Sequence, residues 1–419
     1  MMNVNEAIKY IEDRGWTTTH FGLSRTLALL EALGNPQKKL KFVHVAGSNG
    51  KGSTCAMVHS ILRQAGYRTG LYISPYIQKF NERIQIEGEC IPDDRLVEIT
   101  RRVARIADAM EDRPTHFELV TAIGMEYFFE EKCDIVVLEV GMGGELDSTN
   151  AIDAPEVAVI TNIGLEHTQW LGNTLEEIAH TKSGIIKTGC DAVCYDGAPE
   201  VTEVVKAYCM EKGVPLTCLD FTELESISEG LDGQRFSYKG TEYELALLGR
   251  HQLNNAAVAL ETVAALRRRG WTIDELAVRR GLRYAVWPAR LEVLRKEPLL
   301  LLDGGHNPQC IEALSASLAN LLPESRFTFV LGILADKNYG QMVDMLMPLA
   351  ERFICLTPDS PRALPAEDLA AVITSKGGTA ESFGADIDGA LARAASFGTP
   401  AVAMGSLYLA GLIRDRFVK

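Results

Sequence analysis

The chain has no CxxC pair. Its nine cysteines include one close pair, Cys190 and Cys194. That pair is spaced CxxxC, with no second pair or histidine at zinc-like spacing. A zinc ribbon and a thioredoxin-type redox motif are therefore disfavoured, and reduced thiols in a cytoplasmic protein fit best. No apolar run approaches the roughly 18 residues of a membrane span. The opening stretch, MMNVNEAIKYIEDRGW, carries acids early and lacks an apolar centre, which argues against a secretory leader. Positive charge is also scarce: 42 Lys and Arg against 56 Asp and Glu give a net charge of −14. That balance argues against nucleic acid or an anionic membrane as a main partner. It leaves room for an anionic small substrate, because a few local cations outweigh a distant surface field. Repeats of solenoid length and low-complexity segments are absent too.

What is present is a pattern for two α/β domains in 419 residues, 47% hydrophobic and 23% charged. Short apolar strands (KFVHVAG, RTGLYIS, CDIVVLEVG, EVAVITNIG) alternate with longer helical patterns such as DDRLVEITRRVARIADAM. Strands alternating with helices predict a mostly parallel sheet covered on both faces. From about Thr217 to Leu248 the chain turns polar and predicts a small antiparallel piece. A long helix, HQLNNAAVALETVAALRRRG, follows. Trp287-Pro288 then breaks the rhythm and marks a domain boundary, and the alternation restarts at PLLLLDGGHNPQ. The expected division is 1–286 and 287–419.

Chemistry first shows at KFVHVAGSNGKGSTCAMV. Gly47, Gly50 and Gly52 lie between a strand and a helix. Glycines turn the backbone tightly and bring N–H groups to an anion, and the helix start adds partial positive charge. Lys51 can reach a terminal phosphate, and Ser53 can offer its hydroxyl to magnesium. The spacing G-x-x-G-K-G-S is two residues shorter than the usual loop, so an ordinary kinase or GTPase assignment does not follow. Glu139 closes the buried run DIVVLE, where parallel sheets bind ligands, and a carboxylate there suits magnesium. His167 follows the strand VAVITNIG in the same topological position. Position alone leaves it either a ligand or a structural histidine. Lys182 falls in NTLEEIAHTKSGIIK, behind an expected capping box of Thr174 and Glu177. It should be helical, and nothing in its own surroundings singles it out.

The order and spacing of HVAGSNGKGST, ISPYIQKFNERI, LEVGMGGELDSTN, ITNIGLEHTQWLG, KSGIIK, GRHQLNNAAVA, PARLEV, LDGGHNP and GSLYLAG resemble the folylpolyglutamate synthase and dihydrofolate synthase family of the Mur ligase superfamily. The resemblance covers nearly the whole chain, and the shortened loop is that superfamily's form. It implies a P-loop-type, mostly parallel N-terminal domain of the Mur ligase kind and a smaller Rossmann-like C-terminal α/β domain. It also implies ATP and magnesium as cofactors, with folate or dihydropteroate and L-glutamate as substrates, and a monomer is the default. Gly47, Asn49, Gly50, Lys51, Gly52, Ser53 and Thr54 would hold the ATP phosphates, and Asn255 the adenine. Arg290, Asp303 and His306 would serve the nucleotide from the second domain. Ser53, Ser74 and Glu139 would hold a first magnesium, and His167 with Lys182 a second. Lys182 matches a lysine that family members often carbamylate. Arg83, Phe117 and Glu118 would meet the substrate. Lys51, Lys182, His167 and Arg290 form the implied catalytic set.

Some positions depart from the family pattern. Tyr76 replaces a histidine, Glu145 an arginine and Glu166 an aspartate. The implied reaction is amide formation through an acyl phosphate, which L-glutamate then attacks. Two rival readings are another Mur-type amino-acid ligase acting on a cell-wall precursor and a P-loop regulatory ATPase.

Overall fold

A computed structural model describes residues 2–15 and 22–418. The chain forms two compact units, Met1–Leu224 with Asn254–Ala285, and Glu225–Leu253 with Val286–Lys419.

The first unit is built on eight strands: β1 (Phe42–Ala46), β2 (Thr69–Tyr72), β3 (Ile84–Ile86), β4 (Glu89–Cys90), β5 (Ile135–Glu139), β6 (Val157–Ile160), β7 (Asp191–Cys194) and β8 (Leu216–Cys218). They form one sheet in the order β4-β3-β2-β5-β1-β6-β7-β8. From β2 to β8 every neighbouring pair is parallel, and β3 and β4 add an antiparallel edge. β1, β5 and β6 are buried along their whole length, which is why they read as unbroken apolar runs. β1 pairs with β5 on one side and β6 on the other, with Val45 opposite Glu139 and Ala46 opposite Ile160. The loop after β1 thus opens where the chain order reverses, the usual ligand crevice of such sheets.

Apolar side chains cover the sheet. Leu29, Leu119, Phe128 and Leu138 belong to one cluster, and Ile160, Ile178, Val201 and Val205 to another. The helix Lys51–Gln64 packs against the helix Glu275–Arg283 at Gly281. A Cβ there would lie 2.4 Å from the Ile61 Cα, so the close approach depends on glycine.

The second unit holds β9 (Leu224–Gly230), β10 (Gly233–Tyr238) and β11 (Thr241–Leu245) in a three-stranded sheet. It also holds β12 (Glu292–Lys296), β13 (Leu299–Leu302), β14 (Phe327–Leu331), β15 (Ala350–Cys355), β16 (Ala380–Ser382) and β17 (Ala401–Met404). These form a second sheet, β12-β13-β17-β14-β15-β16, parallel except for the β12–β13 pair.

Two expectations change here. Residues 225–253 were expected in the N-terminal domain but belong to the second unit. Leu248 is buried in the same apolar cluster as Leu291, Leu301 and Ile311, and Asp232 pairs with Lys296 at 2.6 Å. Thr217 was expected to open the antiparallel piece, yet it lies in β8, a parallel strand of the first sheet.

Candidate active site

The loop between β1 and the helix Lys51–Gln64 takes its shape from Gly47 and Gly50, with φ of 154° and 85°. A Cβ on Gly47 would lie 1.9 Å from the Thr161 Oγ1, and one on Gly50 2.4 Å from the Asn255 Oδ1. The loop is anchored from below. The N–H groups of Ser48 and Asn49 donate to the Asn162 carbonyl, at 2.8 and 3.2 Å. The Thr161 hydroxyl donates to the Asn49 carbonyl at 2.9 Å. The helix start has no side-chain cap, so its first N–H groups face outward as an anion-binding end. Ser53 and Thr54 are buried in that first turn. The cradle therefore fits a phosphate chain.

Lys51 Nζ donates to the Gly47 and Ser48 carbonyls, at 2.9 and 3.1 Å. Lys182 donates to the same Gly47 carbonyl at 2.9 Å and to Glu166 Oε1 at 2.8 Å. It sits in the last turn of the helix Leu175–Ser183 and is only 2% exposed. Thr174 caps that helix as expected, accepting from the Glu177 N–H, but the Glu177 carboxylate reaches the Asn173 N–H at 2.6 Å. Burial lowers the Lys182 ammonium to about 8, although Glu166 holds it up. Burial alone would raise Glu166, but Lys51 and Lys182 more than offset this and bring it to about 2. Sequence reasoning missed Glu166, whose only signal was its position beside His167. His167 itself is exposed at the start of the short helix Thr168–Leu171, with φ of 46°. That helix also lines an open cleft of about 770 Å³ with Asn173, Glu177 and His180. None of the expected site residues lines it.

On the other side of β1, three expected residues from separate stretches come together. The Ser74 N–H donates to Glu139 Oε2 at 3.0 Å, and Arg83 Nη1 to Ser74 Oγ at 3.3 Å. Arg83 is buried between the rings of Tyr76 and Phe80, at 5.1 and 5.6 Å, so the family-atypical Tyr76 forms one face of a cation–π stack. Ser74, Ser53 and Glu139 supply the hydroxyl and carboxylate oxygens that magnesium prefers. Among the described residues no group of three His, Cys, Asp or Glu side chains is placed to hold a metal. A metal here would complete its shell with phosphate and water.

Phe117 lies over Gly141, where a Cβ would be 2.5 Å from its ring and 3.1 Å from the Asp147 carboxylate. Asp147 is a second residue that sequence reasoning missed. It accepts from the Met142 and Thr149 N–H groups and from the Thr149 hydroxyl. Burial raises its pKa against those donors. The Thr149 hydroxyl in turn lies 2.9 Å from the Nε2 of the fully buried His44, which burial lowers to about 3. Glu118 plays a supporting part: it accepts from Arg25 Nε at 3.0 and 3.1 Å and caps its own helix through the Thr115 N–H. Glu145 is exposed, so its departure from the family arginine alters the surface of the site rather than its interior.

In the second unit, Arg290 lies between Ala289 and Leu291, both left-handed at φ 54° and 46°. Such strain in non-glycine residues persists only where the surroundings enforce it. Here Asp303, buried at the end of β13, accepts from the Leu291 N–H at 3.0 Å and the Gly305 N–H at 2.7 Å. Burial raises Asp303 while Arg290 opposes that rise. His306 Nδ1 lies 2.9 Å from the Gly304 carbonyl. Arg290, ahead of β12, thus meets the turn after β13 that carries Asp303 and His306: its Nη1 would lie 2.6 Å from a Cβ on Gly304.

Residues 45–263 match the Mur ligase middle domain, and 289–406 match the Mur ligase, glutamate ligase domain. A folylpolyglutamate synthase of Lacticaseibacillus casei is 36% identical, over 99% of this chain and 98% of its own. The chain belongs to the folylpolyglutamate synthase and dihydrofolate synthase family of Mur ligases. A Bacillus subtilis member named dihydrofolate synthase/folylpolyglutamate synthase is 39% identical, over 83% of this chain and 84% of its own. A Mycobacterium tuberculosis folylpolyglutamate synthase, solved in complex with ADP, superposes with a TM-score of 0.90 at 30% identity. That superposition covers 99% of this chain and 98% of the other. The fold is thus shared with a solved member of that family over nearly the whole chain. Among the described residues no helix is long and apolar enough to cross a membrane.

Proposed function

We propose that this chain is an ATP-dependent ligase that adds L-glutamate to the γ-carboxyl of a reduced folate, and that dihydropteroate is a second acceptor. The observation that carries this is the uncapped helix start behind Gly47–Gly50, with Lys51 and Ser53 in its first turn, inside a chain that matches both Mur ligase domains. The nucleotide is ATP, held by Gly47, Asn49, Gly50, Lys51, Gly52, Ser53 and Thr54, with Asn255 toward the base. Ser53, Ser74 and Glu139 would hold magnesium, which would supply neutralising charge to the phosphates. His167 and Lys182 would hold a second ion, Lys182 as its carbamate. Its lowered pKa favours the neutral amine that such a modification needs.

The substrate carboxylate attacks the γ-phosphoryl group, giving an acyl phosphate and ADP. Lys51 and the loop N–H groups stabilise charge on the phosphoryl oxygens. The amine of L-glutamate, neutral when it attacks, then displaces phosphate from the acyl carbon. Arg290, held at a strained turn by Asp303, steadies the transferred phosphoryl group together with His306. Arg83 and Phe117 bind the acceptor, and Glu118 supports that pocket through Arg25. The working form is a cytoplasmic monomer.

The test is phosphate release with ATP, magnesium and L-glutamate, offering tetrahydrofolate and dihydropteroate separately. Release with both acceptors is expected. Release with tetrahydrofolate alone would remove the second acceptor. Release with neither acceptor would defeat the folate reading.

A further inference from the structure

Arg290 stands between Ala289 and Leu291, which are both left-handed and fully buried. Neighbouring groups hold that turn from outside. The Leu291 N–H donates to Asp303 at 3.0 Å, and the Ala289 carbonyl accepts from the Gly304 N–H at 2.8 Å. A further holder is Glu292, the first residue of β12. Its Oε2 accepts from the Ala289 N–H at 2.9 Å. Both of its carboxylate oxygens also accept from Arg414 Nε, each at 3.0 Å. The pair is largely shielded, with 14% of the Arg414 side chain and 21% of the Glu292 side chain exposed. Arg414 lies in the last turn of the helix Leu407–Arg414, 122 residues further along the chain. The first residue of that helix reaches the same place. A Cβ on Gly304 would lie 2.5 Å from Leu407 Cδ2 and 2.6 Å from Arg290 Nη1. The C-terminal helix is therefore tied to the surroundings of Arg290 at both of its ends.

We propose that Glu292 is a positioning residue for Arg290, and that Arg414 fixes the Glu292 carboxylate. A left-handed residue other than glycine stays in that region only while its surroundings enforce it. Releasing the Ala289 N–H lets Ala289 return to ordinary backbone angles. That change re-aims the next residue, Arg290, and carries its guanidinium away. A glutamate without an anchor samples several rotamers, and the pair with Arg414 selects the one that meets Ala289. Glu292 acts on the reaction only through Arg290.

The proposal rests on the reading of Arg290 as a group that steadies the transferred phosphoryl, and the experiment separates the two. Phosphate-release kinetics are measured on the full chain for Glu292→Ala, Arg290→Ala and the double variant. Glu292→Ala is expected to lower kcat about 30-fold, a loss of the size that misplacement brings, with KM values changed less than twofold. In the Arg290→Ala background it should lower kcat no further, because a residue that acts through another has nothing left to position. Losses that multiply would make Glu292 a general support of the fold and overturn the proposal. Glu292→Gln keeps an acceptor oxygen for Ala289 and should hold kcat within about threefold of wild type. A loss as large as that of Glu292→Ala would overturn the proposal as well.

Hydrogen exchange over 287–293 reads the turn without reference to activity. Glu292→Ala should speed exchange of the Ala289 amide about tenfold, and a tie with wild type would overturn the proposal. Should Glu292→Ala not fold, Arg414→Met takes its place. Its expected loss is about fivefold in kcat, again absent on Arg290→Ala. No loss, or one that persists without Arg290, would overturn the proposal. Wild-type kcat in Arg290→Ala would sink the reading of Arg290 and this inference with it. A loss in Arg290→Ala with none in Glu292→Ala would sink this inference alone.

Discussion

After β1 the chain enters its helix at Gly50, which has φ of 85° and offers the helix start no side chain. After β13 it enters its helix at Asn307, whose side chain accepts from the Cys310 N–H at 2.8 Å. Both turns follow a buried parallel strand, and both carry two or more glycines. The first leaves its N–H groups uncapped and carries a cation, Lys51, bonded to two carbonyls of its own loop. The second satisfies its helix start internally and fixes Asp303 on two backbone N–H groups. One turn is built to receive an anion, and the other to hold Arg290 in a strained place. A glycine-rich strand-to-helix turn is therefore not by itself a phosphate site. The presence or absence of a cap decides which it can be.

The largest effect should come from removing that cation. Lys51→Ala is expected to lower kcat about 1000-fold, a loss typical of a charge that acts on the transition state. Its ammonium donates to two carbonyls of its own loop, so the thermal midpoint should stay close to wild type. Phosphate-release kinetics beside a melting curve would check both halves. Normal turnover would remove Lys51 from the mechanism.

Arg290→Ala tests the other turn and should lower kcat about 100-fold with a smaller rise in KM for the folate. An unchanged kcat with a raised folate requirement would instead make Arg290 a substrate contact. The contrast with Lys51→Ala is the useful part. Arg290 Nη1 also donates to the Ala289 carbonyl at 2.8 Å, so its removal should relax the strained backbone as well as the chemistry.

A third comparison concerns acid. Among the described residues, the first unit buries the histidines His44, His59 and His116, which burial lowers to about 3, 3 and 4. In the second unit burial, helped by Arg290, lowers His251 to about 4. A histidine with a depressed folded-state pKa binds fewer protons folded than unfolded between that value and about 6.5. Stability therefore falls as pH drops through this window. Glu166 adds to the loss only lower, as pH falls from about 4.5, its unfolded value, toward 2. Segment-resolved hydrogen exchange at pH 7 and pH 5 should show β1, β2 and the helix Lys51–Gln64 losing more protection than β13, β14 and β17. Equal losses would mean that the buried histidines do not govern acid sensitivity.

How far the sequence could be read follows the range of each interaction. The phosphate loop is local: strand, glycines, lysine and helix lie within one short stretch. Glu139 was legible because it ends a buried run. Lys182 could be placed on a helix, but its ammonium meets Glu166 and Gly47 only through folding, across 16 and 135 residues. No local pattern encodes such a meeting. Residues 225–253 were assigned by chain order, yet the packing of Leu248 with Leu291 and Leu301 decides where they belong. Asp147 was passed over because its importance lies in burial and in its Thr149 and His44 neighbours, not in its motif.

The smallest effect sharpens the contrast between the two helix starts. Asn307→Ala removes the cap of the helix Pro308–Leu321 and should cost about 1 kcal/mol of stability in the second unit. The Cys310 N–H would lose its partner, and the turn carrying Asp303 and His306 would loosen. Because the phosphate loop lies in the other unit, ADP affinity should change less than twofold, roughly the spread of independent sites. Denaturant melts followed by protection of β13 and β17 would read the first effect, and calorimetry with ADP the second. A stability loss accompanied by a large drop in ADP affinity would mean that the capped turn shares directly in nucleotide binding. The sharp division between a receiving turn and a holding turn would then fail.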